Sequence, residues 1–127
     1  MIQKHTLKSH KKIILKYLTI SYTLLIIILF LAPVPNIKPS FNFFEFDKLI
    51  HLLIYIFLVL FWGLYLIESN FSLKQILLII IIFGLIIEIL QYILPFGRYF
   101  DFVDFIANSV GAIIGAFILL FYKKKLL

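Results

Sequence analysis

Four apolar stretches, each long enough to cross a bilayer as a helix, take up most of this chain and leave it few other ways to fold. At 1.5 Å per residue, about 20 apolar residues cross a hydrocarbon core of roughly 30 Å. Residues 13–31, 49–67, 73–94 and 102–122 meet that length with few interruptions. In lipid every backbone amide must find its partner inside the chain, so runs of this kind are helical. The expected fold is therefore all-α, an integral membrane four-helix bundle read as a single transmembrane domain over residues 1–127. Hydrophobic residues make up 64% of the sequence, against about 45–50% in a soluble domain, which excludes a soluble fold.

The breaks between the spans are written in proline, glycine and polar residues. Pro33, Pro35 and Pro39 end the first helix because proline lacks the amide hydrogen and clashes with the preceding turn. The stretch Phe41-Asn42-Phe43-Phe44-Glu45-Phe46 alternates aromatic and polar residues, the pattern of a short interfacial segment between helices 1 and 2. Glu68-Ser69-Asn70 closes helix 2, and Pro95 with Gly97 closes helix 3. A basic head before an apolar run also describes a signal peptide. Here the run is long and no small-residue cleavage site follows, so an uncleaved anchor is expected.

Charge sets the expected orientation. The formal net charge is +6, and the lysines gather at the two ends, with Lys4, Lys8, Lys11 and Lys12 at one and Lys123, Lys124 and Lys125 at the other. That distribution suits the positive-inside rule, with both termini cytoplasmic, and gives no helix face for a nucleic acid. Lys74 in the 2/3 connection agrees, and the 1/2 and 3/4 connections then lie outside. The absence of cysteine removes disulfides, thiolate metal sites and cysteine nucleophiles.

The costly polar residues converge on the outer side. Asp47, Lys48, His51 and Tyr55 occupy an arc of roughly 100° at the start of helix 2, and Gly84, Glu88 and Gln91 an arc of roughly 60° late in helix 3. Glu88 lies about 9 Å below the helix end, inside the hydrocarbon, and is expected to face the bundle and pair with His51, Lys48 or Arg98. Asp101, Asp104, Asn108, Gly111 and Gly115 fall within roughly 80° on helix 4. Each feature also has a plainer meaning. Asp101 and Asp104 suit a helix cap and first turn, Asp47 suits a cap, and Lys48 suits snorkelling to the headgroups. Gly111 and Gly115 suit close helix packing, and Trp62 and Tyr65 an aromatic belt. Caps alone do not account for His51, Glu88, Gln91 and Asn108 below the helix ends, and a polar cavity open to the outside does.

Three functions fit such a cavity. In a headgroup- or amphiphile-binding protein, Lys48 and Arg98 take the anionic part while Asp101, Asp104 and Asn108 orient it. A membrane-embedded enzyme acting on a lipid-linked phosphate or sugar would use His51 or Glu88 as the catalytic general acid/base. A divalent cation on Asp101, Asp104 and Asn108 would suit Mg²⁺ or Mn²⁺. In a proton- or cation-coupled transporter, Glu88 and His51 form the relay and Gly111 and Gly115 the contact of a homo-oligomer.

Taken together, Asp47-Lys48-x-x-His51, Glu88-x-x-Gln91 and Gly97-Arg98-x-x-Asp101-x-x-Asp104-x-x-x-Asn108-x-x-Gly111-x-x-x-Gly115 resemble the VanZ-like family of small bacterial membrane proteins, over residues 41–120. The family takes its name from a teicoplanin-resistance protein. The resemblance implies a multi-pass protein of the bacterial cytoplasmic membrane with a part in envelope biology and in glycopeptide or lipoglycopeptide tolerance. It implies no particular reaction. Membrane lipids, lipid-linked cell-wall precursors and lipophilic glycopeptides are the partners found at the outer boundary where the polar residues gather.

Overall fold

A computed structural model describes residues 2–33 and 43–126, with side chains over 8–33 and 46–123. Four helices follow in order, α1 (Ile2–Leu31), α2 (Phe43–Leu66), α3 (Leu73–Ile93) and α4 (Phe102–Leu126). Each is long and apolar enough to cross a membrane, with spans at Lys8–Leu31, Phe46–Leu66, Leu73–Ile93 and Phe102–Lys123. α1 begins well before residue 13, because no proline or glycine interrupts the lysine-bearing segment ahead of the apolar run. The interfacial segment expected over residues 41–46 is described only in part. Phe43–Phe46 forms the first turn of α2, and residues 41 and 42 lie outside the described residues.

The connections have local causes. Ser72 caps α3 through its hydroxyl, which accepts the Gln75 amide at 3.2 Å, while the Gln75 side chain accepts the Ser72 amide at 2.9 Å. This reciprocal box satisfies two amides that a helix start leaves open. At the other end of α3, Leu94 takes an extended conformation and Gly97 a φ of 76°, which reverses the chain toward α4.

α2 and α4 pack most closely, and glycine is the reason. A Cβ on Gly111 would lie 2.2 Å from the Leu52 carbonyl oxygen, and one on Gly115 would lie 2.7 Å from that of Ile56. Gly111 and Gly115 thus seat α4 on the α2 backbone of the same chain, so this face is not free for the homo-oligomer contact considered from sequence. Among the described residues α1 and α4 do not pack on each other; each flanks the α2 and α3 pair.

α1 is held differently. Thr19, Tyr22, Thr23, Ile26 and Phe30 recur at helical spacing on one face. Tyr22 donates to the Ile54 carbonyl at 3.0 Å, Thr19 to that of Phe61 at 3.4 Å, and Trp62 donates to the Thr23 hydroxyl at 3.1 Å. Trp62 is therefore a half-buried tie between α1 and α2. The bundle is apolar outside and partly polar inside, with Ile28, Leu78 and Phe117 exposed while His51, Glu88 and Asn108 are buried. That inversion suits a lipid surround.

Candidate functional site

The start of α2, the end of α3 and the start of α4 meet at one end of the bundle, and the polar residues singled out from sequence meet there with them. Lys48 reaches across from α2 to the α4 entry. Its ammonium lies 2.6 Å from Asp101 Oδ2 and donates a second, short hydrogen bond to Asp104 Oδ1. Asp101 combines two roles weighed as alternatives from sequence. Its Oδ1 accepts the Val103 amide at 2.8 Å, as a cap does, while its Oδ2 takes the Lys48 ammonium. Partial burial pushes the Asp101 carboxyl up, but the Lys48 ammonium and the Val103 amide outweigh it and hold the group below its ordinary value.

His51 sits one turn deeper, 2% exposed, with Nδ1 at 3.0 Å from Asn108 Oδ1. With that oxygen as acceptor, Nδ1 carries the hydrogen and Nε2 turns its lone pair toward α4. Nε2 lies 3.9 Å from Asp47 Oδ1 and 3.9 Å from Asp104 Oδ2, outside hydrogen-bond range of both. The Phe30 ring stacks on the imidazole, with centroids 4.6 Å apart and planes 17° apart, and fixes its orientation. Asp47, His51 and Asp104 form the group whose carboxylate and imidazole atoms lie within 4.8 Å of one another. The oxygens proposed from sequence for a cation are mostly engaged elsewhere. Asn108 Oδ1 serves His51, and Asp101 serves Lys48 and the α4 amide.

Glu88 is wholly buried on α3, as its depth requires, but the expected pairing with His51, Lys48 or Arg98 is absent. No side chain bonds either carboxyl oxygen, although the Asp101 main-chain amide faces the group, and the Tyr55 hydroxyl and the Asn108 amide nitrogen lack partners. Tyr55 fits there because Gly84 on α3 leaves room, a Cβ on Gly84 falling 3.2 Å from the Tyr55 oxygen.

Two residues expected to bind a ligand also join the bundle to α1. Gln91 donates to the Phe30 carbonyl at 2.8 Å in a buried bond. Arg98 donates from Nε to Ala32 and from Nη2 to Leu29, both at 3.3 Å, and so satisfies carbonyls that the end of α1 leaves open. Sequence reasoning missed the contribution of α1 to this end, above all Phe30. The signal was there in the hydroxyl and aromatic face running from Thr19 to Phe30.

The site thus joins a buried imidazole, four carboxyl groups, one ammonium and an amide, with Glu88 and His51 buried and Asp47 and Asp101 partly exposed. Such an arrangement can bind a proton, a cation or a polar headgroup. In comparisons with known proteins, the family model described as VanZ/LLP1 matches residues 3–123, and it takes in every residue of the site. No curated protein and no solved structure gives a significant match. With nearly the whole length matched and four helices suited to a membrane, the chain belongs to the VanZ/LLP1 family and is a multi-pass membrane protein.

Proposed function

We propose that this VanZ/LLP1 family member binds the anionic headgroup of a membrane amphiphile in the polar cluster, at the extracytoplasmic boundary of the bacterial cytoplasmic membrane. The observation that carries the reading is the pair of buried donors without acceptors, the Tyr55 hydroxyl and the Asn108 amide nitrogen, which oxygens of an anionic group would satisfy. Each such atom costs about 1–3 kcal/mol when left unmade, so a ligand that supplies partners gains from both of them. Arg98 supports the anionic class. Two of the five guanidinium hydrogens go to α1 carbonyls, and the remaining donors form a fork suited to phosphate or carboxylate. Lys48, already paired with Asp101 and Asp104, contributes its field more than a free donor. The lysine blocks at both ends of the sequence support an outward site. Lipid-linked cell-wall precursors and lipophilic glycopeptides carry headgroups of this chemistry at that boundary, which ties the site to teicoplanin and glycopeptide tolerance.

The test is lipid copurification, read by mass spectrometry on the full chain. Arg98→Ala should lose the anionic lipid. Because Arg98 also caps α1, Arg98→Lys and a thermal melt of each variant separate lost binding from lost folding. A folded Arg98→Ala protein that retains the same lipids would refute the assignment. In parallel, expression of the wild-type chain should raise the teicoplanin concentration needed to stop growth, and Arg98→Ala should not.

A further inference from the structure

We propose that Asp47, His51 and Asp104 form a binding site for a divalent transition-metal cation, of the class of Zn²⁺ and Mn²⁺. Two carboxylates near one another would not by themselves make a site. The observation that points to an ion is His51, 2% exposed, with Nδ1 committed to Asn108 and Nε2 facing both carboxylates without a hydrogen bond. The two distances from Nε2, to Asp47 Oδ1 and to Asp104 Oδ2, are both 3.9 Å. An imidazolium hydrogen at Nε2 would draw one carboxylate in to about 2.8 Å. The equal standoff of 3.9 Å leaves one shared space between the three groups, and the side chains close by about 0.4–0.9 Å on an ion, since ligands bonded at about 2.0–2.2 Å lie about 3–3.5 Å from each other.

The surroundings are those of a metal ligand. An imidazole that binds a metal through one nitrogen commonly donates from the other to an oxygen, which fixes its tautomer, and Asn108 Oδ1 takes that part. Phe30 holds the ring plane. One nitrogen and two carboxylate oxygens favour a transition metal over Mg²⁺ or Ca²⁺, which prefer oxygen alone. The Asp47 side chain is 40% exposed and gives a cation a way in from the membrane boundary. Lys48 shares Asp104 through the other carboxyl oxygen, and its charge is offset by Asp101, so Asp104 bridges ammonium and cation. The site stands on this geometry and not on the headgroup reading. Where both hold, the cation offers its open positions to the anionic headgroup.

The experiment uses the full chain in detergent after chelation, with His5 and His10 replaced by Ala. His51 is then the only imidazole left of the three in the sequence. Titration calorimetry with Zn²⁺ should give one site per chain, and bound Mn²⁺ should show coupling to one imidazole nitrogen by pulsed electron paramagnetic resonance. Asp47→Asn should weaken binding at least 10-fold, and Asn108→Ala by about 10- to 100-fold through loss of the oxygen that orients His51. Glu68→Gln, on the turn between α2 and α3, should bind as the parent does. No stoichiometric binding by the parent, or binding unchanged in Asp47→Asn, overturns the site. Asp47 is partly exposed and holds no short hydrogen bond to another described side chain, so this variant keeps the test sound even if His51→Gln does not fold. Lipid retained by the chelated, metal-free protein with no metal uptake rejects the cation alone. Metal uptake without lipid rejects the headgroup reading alone.

Discussion

The α2–α4 seam makes a sharp prediction, because two glycines that face equally severe clashes should respond oppositely to alanine. A Cβ at Gly111 would lie 2.2 Å from the Leu52 carbonyl oxygen, and one at Gly63 would lie 2.1 Å from the Leu119 Cδ2 methyl. The methyl is the far end of a flexible side chain, and one rotamer change of about 0.5–1.5 kcal/mol clears it. Alanine gains about 0.8–1 kcal/mol over glycine in a helix interior, so Gly63→Ala should leave stability within about 0.5 kcal/mol of the parent. The carbonyl cannot turn away, since it belongs to the helix ladder. Reaching the 3.4 Å of an ordinary contact takes about 1.2 Å of helix separation. Overpacking of that kind costs about 1–3 kcal/mol, which leaves Gly111→Ala up to about 2 kcal/mol less stable after the helix gain. The displaced turn also carries Asn108, and Leu52 follows His51 directly, so the 3.0 Å bond between them should open and metal or lipid binding should fall with stability. Unfolding in mixed micelles of rising sodium dodecyl sulfate reads the free energy. Gly111→Ala as stable as Gly63→Ala would refute the reasoning.

Three further predictions concern single bonds. Ser72→Ala removes the hydroxyl half of the α3 capping box, keeps the main-chain amide that donates to Gln75, and should cost about 1 kcal/mol, with ligand binding at the far end unchanged, by the same micelle titration. Gln91→Leu strips the Phe30 carbonyl of its buried donor and should cost about 1–3 kcal/mol, with protease cleavage at the α1 end as a second readout. The Asp101 carboxyl is held below its ordinary value in the fold, so its contribution to stability is present above the unfolded value of about 4 and is lost as pH falls through the folded value. The difference in melting temperature between wild type and Asp101→Asn should therefore be full at pH 7 and shrink below about pH 4; a difference that grows on acidification would contradict the pairing with Lys48.

The spans were legible because apolar length in a bilayer admits one backbone solution, and the helices end where proline, glycine or a cap forces them to. The spacing that put Asp47 with His51, Glu88 with Gln91, and Asp104 with Asn108 on shared faces also held, since it needs only helix periodicity. What spacing cannot carry is a partner chosen across the bundle. Lys48 lies 53 residues from Asp101, and Arg98 66 residues from Ala32, and only the tertiary arrangement decides that one finds a carboxylate and the other a helix end. Spacing therefore could not show that two of the Arg98 donors hold the end of α1. Of what α1 offers, the hydroxyl and aromatic face was visible and passed over, whereas the main-chain oxygens of Leu29, Phe30 and Ala32 leave no mark in a sequence.

That last feature has its own consequence for how the chain tolerates change. The donors of Gln91, Arg98, Tyr22 and Thr19 end on the carbonyls of Phe30, Leu29, Ala32, Ile54 and Phe61. An oxygen of that kind is present whatever side chain the residue bears. In a saturation library, Leu29 and Ile28 should accept most greasy replacements, while Gln91, Tyr22 and Phe30, which supply the donor or the stacked ring, should be fastidious.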